Sequence, residues 1–230
     1  MIYGLVPFRQ HSKRVPNKNM LLIDGVPLVC HSIQQGLLAL DEVIVSTDYE
    51  EYELYENIPE MQSKRIIYHK REYVADDQLA NEYIHMCIKR YNIKPLDSIV
   101  LLQPTCPCRE PYDIRKALSI HLQSGKKTLS CFRYGFDRMY TTPDSELITP
   151  LTYSHSDLSG KQGFLRNSSI YIFRVKDFLE DNTIFGFKNA SLYEMPMIKS
   201  VDINYIEDYN LAKSIIEGGL IGWRAQRCTF

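Results

Sequence analysis

The chain has 230 residues, 44% hydrophobic and 24% charged, a balance that suits one sizeable folded core and excludes disordered and collagen-like classes. Its 27 Lys and Arg stand against 28 Asp and Glu, and the resulting formal charge of −1 excludes a strongly basic nucleic-acid binder. No apolar run approaches the roughly 18–20 residues that span a bilayer, and no cationic segment precedes the first apolar run, so a cytoplasmic chain is expected, or a nuclear one in an animal cell.

Residues 2–6 form a first apolar run of strand length, followed by a long loop. Pro27 sits where a helix begins, with Leu28, Cys30, Ile33, Leu37 and Leu38 as its buried stripe. Residues 42–46 predict a second strand, and Ser46-Thr47-Asp48 an N-cap for a helix containing Tyr52 and Leu54. A third strand over 65–68 leads to a helix over 78–91 carrying Leu79, Tyr83, Met86, Cys87 and Ile88.

Residues 98–103 read as the central strand, stopped by Pro104 and Pro107, and a helix over 110–123 turns Ile114, Ala117, Leu118 and Leu122 inward. A strand over 128–132 precedes a polar, weakly periodic stretch at 133–165, which reads as an inserted arm. Strands over 169–173 and 199–203 follow, then a helix presenting Ile206, Tyr209, Ala212, Ile215 and Ile216 to the core. Strands alternating with helices predict an α/β fold, a mostly parallel sheet flanked by helices, in one domain over 1–230 with the arm inserted.

The sharpest local asymmetry is the loop after the first strand. Arg9, Lys13, Arg14 and Lys18 fall within ten residues that contain no acid. In an open α/β sheet such a loop emerges at the carboxyl ends of the strands, where ligands bind, and backbone amides with Lys and Arg suit phosphate groups there. Neither G-x-x-x-x-G-K-[ST] nor G-x-G-x-x-G is present, so the loop is of another kind, and a solvated basic loop fits the same composition.

Residues 101–109 present Gln103, Thr105 and Arg109 at the end of the central strand. Gln103 can donate and accept, Arg109 can meet a phosphate or carboxylate, and a purely structural turn fits equally. Asp202, between Val201 and Ile203, suits a Mg²⁺ shared with a nucleoside triphosphate, or a cap for the following helix. Cys106 and Cys108 lack a second ligand pair at zinc spacing, and the six cysteines, free of C-x-x-C pairs, are expected as free thiols.

In chain order these segments read R-x-x-S-K-x-x-P-x-K-N (Arg9, Ser12, Lys13, Pro16, Lys18, Asn19), G-x-P-L at 25–28, V-S-T-D at 45–48 and L-L-Q-P-T-x-P-x-R at 101–109. N-x-x-I-Y-I at 167–172 and S-V-D-I at 200–203 complete the series. The set resembles the acylneuraminate (CMP-sialic acid) cytidylyltransferase family over nearly the whole chain. The resemblance implies a Rossmann-like nucleotidyltransferase that joins CTP to a 2-keto-3-deoxy acid sugar with Mg²⁺, releases pyrophosphate and forms a homodimer through the 133–165 arm. Kdo as the acceptor, or a non-catalytic nucleotide-sugar binding homologue, are the alternatives.

The same resemblance implies nucleotide-binding roles for Arg9, Ser12, Lys13, Lys18, Asn19, Arg71 and Asn81. Arg9, Lys13, Lys18 and Asp202 would be catalytic, Gln103, Arg109 and Asn167 would face the sugar, and Asp202 with Asn204 would hold the metal. The chain departs from the family pattern in three places: Asn204 replaces a second carboxylate, Ser168 replaces a glycine, and Lys70 and Arg71 are rival candidates for one triphosphate-facing role.

Overall fold

Strands that are buried on both faces must be apolar along their whole length, and the runs at 43–45 and 98–102 meet that requirement. In the computed structural model, which describes residues 1–72, 80–135, 140–141, 149–150, 162–186 and 189–226, both runs lie inside a seven-stranded sheet. The elements follow in the order β1 (Ile2–Pro7), β2 (Leu22–Ile23), β3 (Val26–Pro27), α1 (Leu28–Ala39), β4 (Glu42–Thr47), α2 (Glu51–Asn57), β5 (Ile66–Lys70), α3 (Ala80–Arg90) and β6 (Ser98–Leu102). Then come α4 (Pro111–Ser124), β7 (Lys127–Gly135), β8 (Tyr140–Thr141), β9 (Thr149–Pro150), β10 (Gln162–Arg174), α5 (Val175–Asp181), β11 (Ala190–Glu194) and α6 (Ile206–Glu217).

The sheet order is β11-β7-β10-β6-β1-β4-β5, with β6 at its centre as the sequence predicts. All neighbours pair in parallel except β10, which runs against both β6 and β7. Alternate strand residues supply two cores. Val6, Val45, Val100 and Ile172 pack with Val29 and Ile33 of α1 and Ile114 and Ala117 of α4, whereas Leu5, Ile44, Leu101 and Phe173 pack with Ile84 and Ile88 of α3 and Phe178 of α5. A third cluster, of Ile23, Leu28, Cys108, Ile203, Ala212, Ile215 and Ile216, seats α6 beside the loop end of the sheet.

The sequence reading needs three corrections. Residues 200–203 form no strand: Met197–Lys199 is a 3-10 turn, and the apolar alternation of Val201 and Ile203 serves to pack against α6. The edge strand is β11 instead, paired with β7, and its half-exposed residues gave no clear period. Ser46 and Thr47 are buried at the end of β4 rather than capping α2, whose capping box is Glu50 with Glu53. Leu38, Met86, Leu122 and Ile206 lie at the exposed margins or ends of otherwise correctly placed helical stripes.

The arm expected at 133–165 falls mostly outside the described residues. The parts within them are the end of β7, the β8–β9 ladder and the start of β10. Leu79 and Cys228 also lie outside, and the five described cysteines are buried free thiols. Among the described residues no helix is long and apolar enough to cross a membrane.

Candidate active site

The basic loop leaves β1 at the carboxyl edge of the parallel strands and is folded by its own polar groups. Phe8 donates its amide to Ser46 O at 3.0 Å and Gln10 to Asp48 Oδ1 at 2.8 Å, which fixes the loop's exit beside β4. Asn17 takes the left-handed conformation that Asn tolerates, at φ 51°, and starts a 3-10 turn over Lys18–Met20. That turn sends neighbouring side chains in different directions. Buried Asn19 donates back to Arg9 O at 3.0 Å and closes the loop, while Lys18 donates to Ile203 O at 2.7 Å across the cleft mouth.

A cleft of about 530 Å³ lies between this loop, the end of β5, the first turn of α3 and the end of β6. Arg9, Ser12, Lys13, Arg14, Lys18 and Asn19 line one side, Arg71, Ala80 and Tyr83 the second, and Gln103, Pro104 and Thr105 the third. Arg71 is buried, donates to Phe8 O, and places its guanidinium 5.3 Å from the centre of the Tyr83 ring. Burial lowers the pKa of Arg71, and burial also lowers that of Lys18, with Asp202 pulling the other way. The lining is therefore a partly dehydrated cationic wall facing a polar one, where an oligophosphate would find its charge balanced.

Asp202 and Asn204 do not line this cleft, but Ile203 between them bonds two residues that do, Lys18 and Thr105. Ile203 donates its amide to Thr105 O at 2.8 Å, so the segment carrying Asp202 is pinned to the end of β6. Among the described residues no hydrogen-bond donor meets the Asp202 carboxylate, whose charge works to raise the Lys18 pKa. The helix cap is made elsewhere: Asp208 accepts the amides of Asn204 and Tyr205 at 2.9 and 2.8 Å. Of the alternatives for Asp202, the capping role is thereby taken by another residue.

The family model for cytidylyltransferases matches residues 3–221. The chain belongs to the cytidylyltransferase family. It is 28% identical to the CMP-N,N'-diacetyllegionaminic acid synthase of Legionella pneumophila, over 94% of this chain and 96% of that one, and 26% identical to the pseudaminic acid cytidylyltransferase of Campylobacter jejuni, over 91% and 93%. To the N-acylneuraminate cytidylyltransferase of Escherichia coli it is 28% identical over 93% of its own length, and it spans 52% of that relative. The solved structure of CMP:2-keto-3-deoxy-manno-octonic acid synthetase complexed with CTP shares the fold, with a TM-score of 0.68 at 14% identity over 95% of this chain and 99% of that one. So does 4-diphosphocytidyl-2C-methyl-D-erythritol synthase, with a TM-score of 0.63 at 11% identity over 92% and 97%.

Within this cytidylyltransferase fold the predicted site residues separate into those that reach the cleft and those that hold it. Arg9, Ser12, Lys13, Lys18, Asn19, Arg71 and Gln103 line it. Of the rival pair, Arg71 lines the cleft whereas Lys70 turns outward to Glu50 at 2.6 Å and Asp48 O at 2.8 Å. Asn81 does not reach it, because its place on α3 points its amide to Asn182 O at the end of α5. Asn167 is buried, with its amide engaged by Ser130 Oγ at 2.5 Å and Ser200 Oγ at 2.9 Å. Arg109 is 0% exposed, and its guanidinium is turned to backbone carbonyls beneath the floor rather than to a ligand.

Tyr83 is the lining residue that sequence reasoning assigned to the core alone. Its helical spacing marks a buried stripe, and nothing in that spacing tells that the stripe's first turn opens on the cleft. The donors around Asp202 suit one Mg²⁺: a single half-exposed carboxylate beside a phosphate-sized cleft matches an ion that keeps several waters and shares substrate phosphates. Asn204 donates its Nδ2 to Asp202 O at 3.4 Å and can offer only an uncharged oxygen. Among the described residues no cluster of three His, Cys, Asp or Glu gathers to make a metal cage.

Proposed function

We propose that the chain joins CTP to a 2-keto-3-deoxy acid sugar of the nonulosonate type, giving a CMP-sugar and pyrophosphate, as a Mg²⁺-dependent homodimer in the cytosol. The observation that carries this reading is the cationic wall of Arg9, Lys13, Lys18 and Arg71 facing Gln103 and Thr105, with the Asp202 carboxylate acting on Lys18. Relatives named for legionaminic, pseudaminic and N-acylneuraminic acids support the nonulosonate acceptor.

In this reading Arg9, Ser12, Lys13 and Lys18 hold the triphosphate, and Gln103 orients the sugar so that its anomeric oxygen lies in line with the α-phosphorus. A bond forms from that oxygen to the α-phosphorus as the bond to the β-phosphate bridging oxygen breaks, the hydroxyl proton passes to water, and the pyrophosphate leaves against the lysine and arginine cations. The main contribution of the protein is positioning and stabilisation of charge on the transferring group. Asp202, with Asn204 as a second oxygen donor, would hold the Mg²⁺, which when bound neutralises phosphate charge.

The test is pyrophosphate release from CTP and Mg²⁺ across N-acetylneuraminate, deaminoneuraminate, legionaminate, pseudaminate and Kdo. Release with a nonulosonate is expected. CTP binding with no release from any nonulosonate in the panel, or release with Kdo alone, would overturn the acceptor assignment.

A further inference from the structure

The segment between β6 and α4 contains Pro104 and Pro107, which lack N–H groups and keep the backbone out of any regular ladder. Its inward carbonyls still require donors, since a buried unpaired carbonyl is costly. Two buried side chains supply them. Arg109 Nη1 donates to Gln103 O at 2.9 Å, to Cys106 O at 2.8 Å and to Ser169 O of β10 at 3.3 Å, and its Nη2 donates to Ser32 Oγ. Gln35 Nε2 donates to Pro107 O at 2.9 Å and Arg109 O at 2.7 Å.

A fully buried guanidinium with no acidic partner within salt-bridge distance among the described residues carries a large desolvation cost. A residue that only filled space here would be apolar. What the planar fork of N–H donors supplies is a simultaneous grip on the two ends of the Gln103–Cys106 turn and on the strand behind it. The turn's outward groups then face the reaction: Gln103 and Thr105 line the cleft, and Thr105 O accepts the amide of Ile203, next to Asp202.

We propose that Arg109 is a positioning residue for the acceptor and metal side of the cleft, acting through Gln103 and through the Thr105–Ile203 link to Asp202. The inference rests on the proposed acid-sugar reading for its kinetic consequence, although its structural consequence stands apart from that reading. The triphosphate side has three holds of its own, Asn19 to Arg9 O, Gln10 to Asp48 and Arg71 to Phe8 O, and meets the Asp202 segment through the Lys18 bond to Ile203 O.

Arg109→Lys keeps the charge and loses the fork. The expected result is a KM for the acid sugar raised roughly tenfold with a lower kcat, while the Kd for CTP without Mg²⁺ stays within about twofold. Amide hydrogen exchange at Cys106 and Ile203, whose N–H groups bond Gln103 O and Thr105 O at 3.2 and 2.8 Å, is expected to quicken. Ser32→Ala removes the Nη2 partner and a long Ser32 Oγ donation to Gln103 O at 3.4 Å, leaves the three Nη1 bonds in place and should move the same quantities less; it decides the matter should the lysine variant fail to fold.

Unchanged sugar KM and kcat in a folded variant, or equal losses for sugar and CTP, would overturn the proposal, as would unchanged exchange at both amides. If the wild-type protein turns over no acid sugar, faster exchange at both amides upholds the positioning role while the acceptor reading alone fails.

Discussion

Lys18 and Ile203 are 185 residues apart in the chain, and the lysine ammonium donates to the main-chain carbonyl of Ile203 at 2.7 Å. The basic loop and the Asp202 segment are thereby linked at one point. One N–H of the ammonium is taken by that carbonyl and the others are left to face the cleft that Lys18 lines. Lys18 thus does two jobs, closing the mouth and presenting charge.

Asp202→Asn separates the carboxylate from the fold. It keeps the shape of the residue, removes the charge proposed to hold Mg²⁺, and is expected to lower CMP-sugar formation by about 10²-fold or more, on the scale of losing one electrostatic contact in the transition state. Burial already lowers the Lys18 pKa and Asp202 opposes that shift, so the variant should lower it further. An ¹⁵N titration of the labelled lysine checks the sign, and a Lys18 pKa that rises in the variant would contradict the coupling.

Ser168 occupies a left-handed conformation, at φ 60°, inside the irregular stretch where β10 changes register with β7. The family pattern has glycine there, and the backbone shows the reason: this φ suits a residue without Cβ. Ser168→Ala keeps the strain of the left-handed backbone, whereas Ser168→Gly relieves it. The glycine variant should therefore be the more stable of the two by about 1 kcal/mol, after its greater unfolded-state entropy is set against the relieved strain. Urea unfolding of both variants measures the difference.

Much of the fold was legible because the parallel strands at 43–45 and 98–102 are buried on both faces and read as unbroken apolar runs. The cationic side of the site was legible too, since Arg9, Lys13, Arg14 and Lys18 break an otherwise even charge distribution. Less visible was which polar residues face the ligand and which hold the residues that do. Arg109 and Asn167 sit in motifs beside the cleft, yet both turn inward, because the carbonyls of a proline-bearing turn and the hydroxyls around the β10 irregularity need partners more than the solvent-facing side does. Tertiary demand of that kind leaves no period in a sequence. The false strand at 199–203 has the same origin: Val201 and Ile203 alternate to meet α6, not a neighbouring strand.

His69 accounts for an expected pH dependence. It lies buried between Ser46 Oγ at 2.9 Å and Cys87 Sγ at 3.3 Å, and burial, with Arg90 and Arg71 nearby, pushes its pKa down to about 4. The unfolded chain takes up that proton near the ordinary value of 6.5, so the unfolded state binds more protons between 6.5 and about 4. Stability from this residue is full above 6.5, falls as the pH drops through that window, and levels off below it. Burial lowers the pKa of His31 and His121 as well, which adds to the same sign. Denaturant midpoints measured from pH 8 to 4 should fall, and His69→Gln should reduce the slope by at most about 1.4 kcal/mol per pH unit. A slope unchanged by the substitution would show that His69 titrates alike in both states.

Lys199 holds the other side of the Asp202 segment. Its ammonium meets Glu110 Oε2 at 2.8 Å and Asp113 Oδ2 at 3.2 Å at the start of α4, and Tyr193 donates its hydroxyl to Asp113 Oδ1 at 2.8 Å. Burial works against the lysine's charge, and the two carboxylates override it, so its pKa is raised. The carboxylate of Asp113 is almost fully buried, hence Lys199→Met leaves two acids facing each other with one well-shielded charge uncompensated. A loss of about 2 kcal/mol is expected, below the full cost of breaking a buried pair because Glu110 and Lys199 are partly solvated. Glu110→Gln combined with Lys199→Met should recover part of that loss, since the double variant removes one of the two repelling acids. Chemical denaturation of the single and double variants closes the cycle, and strict additivity would mean that the lysine and the glutamate do not interact.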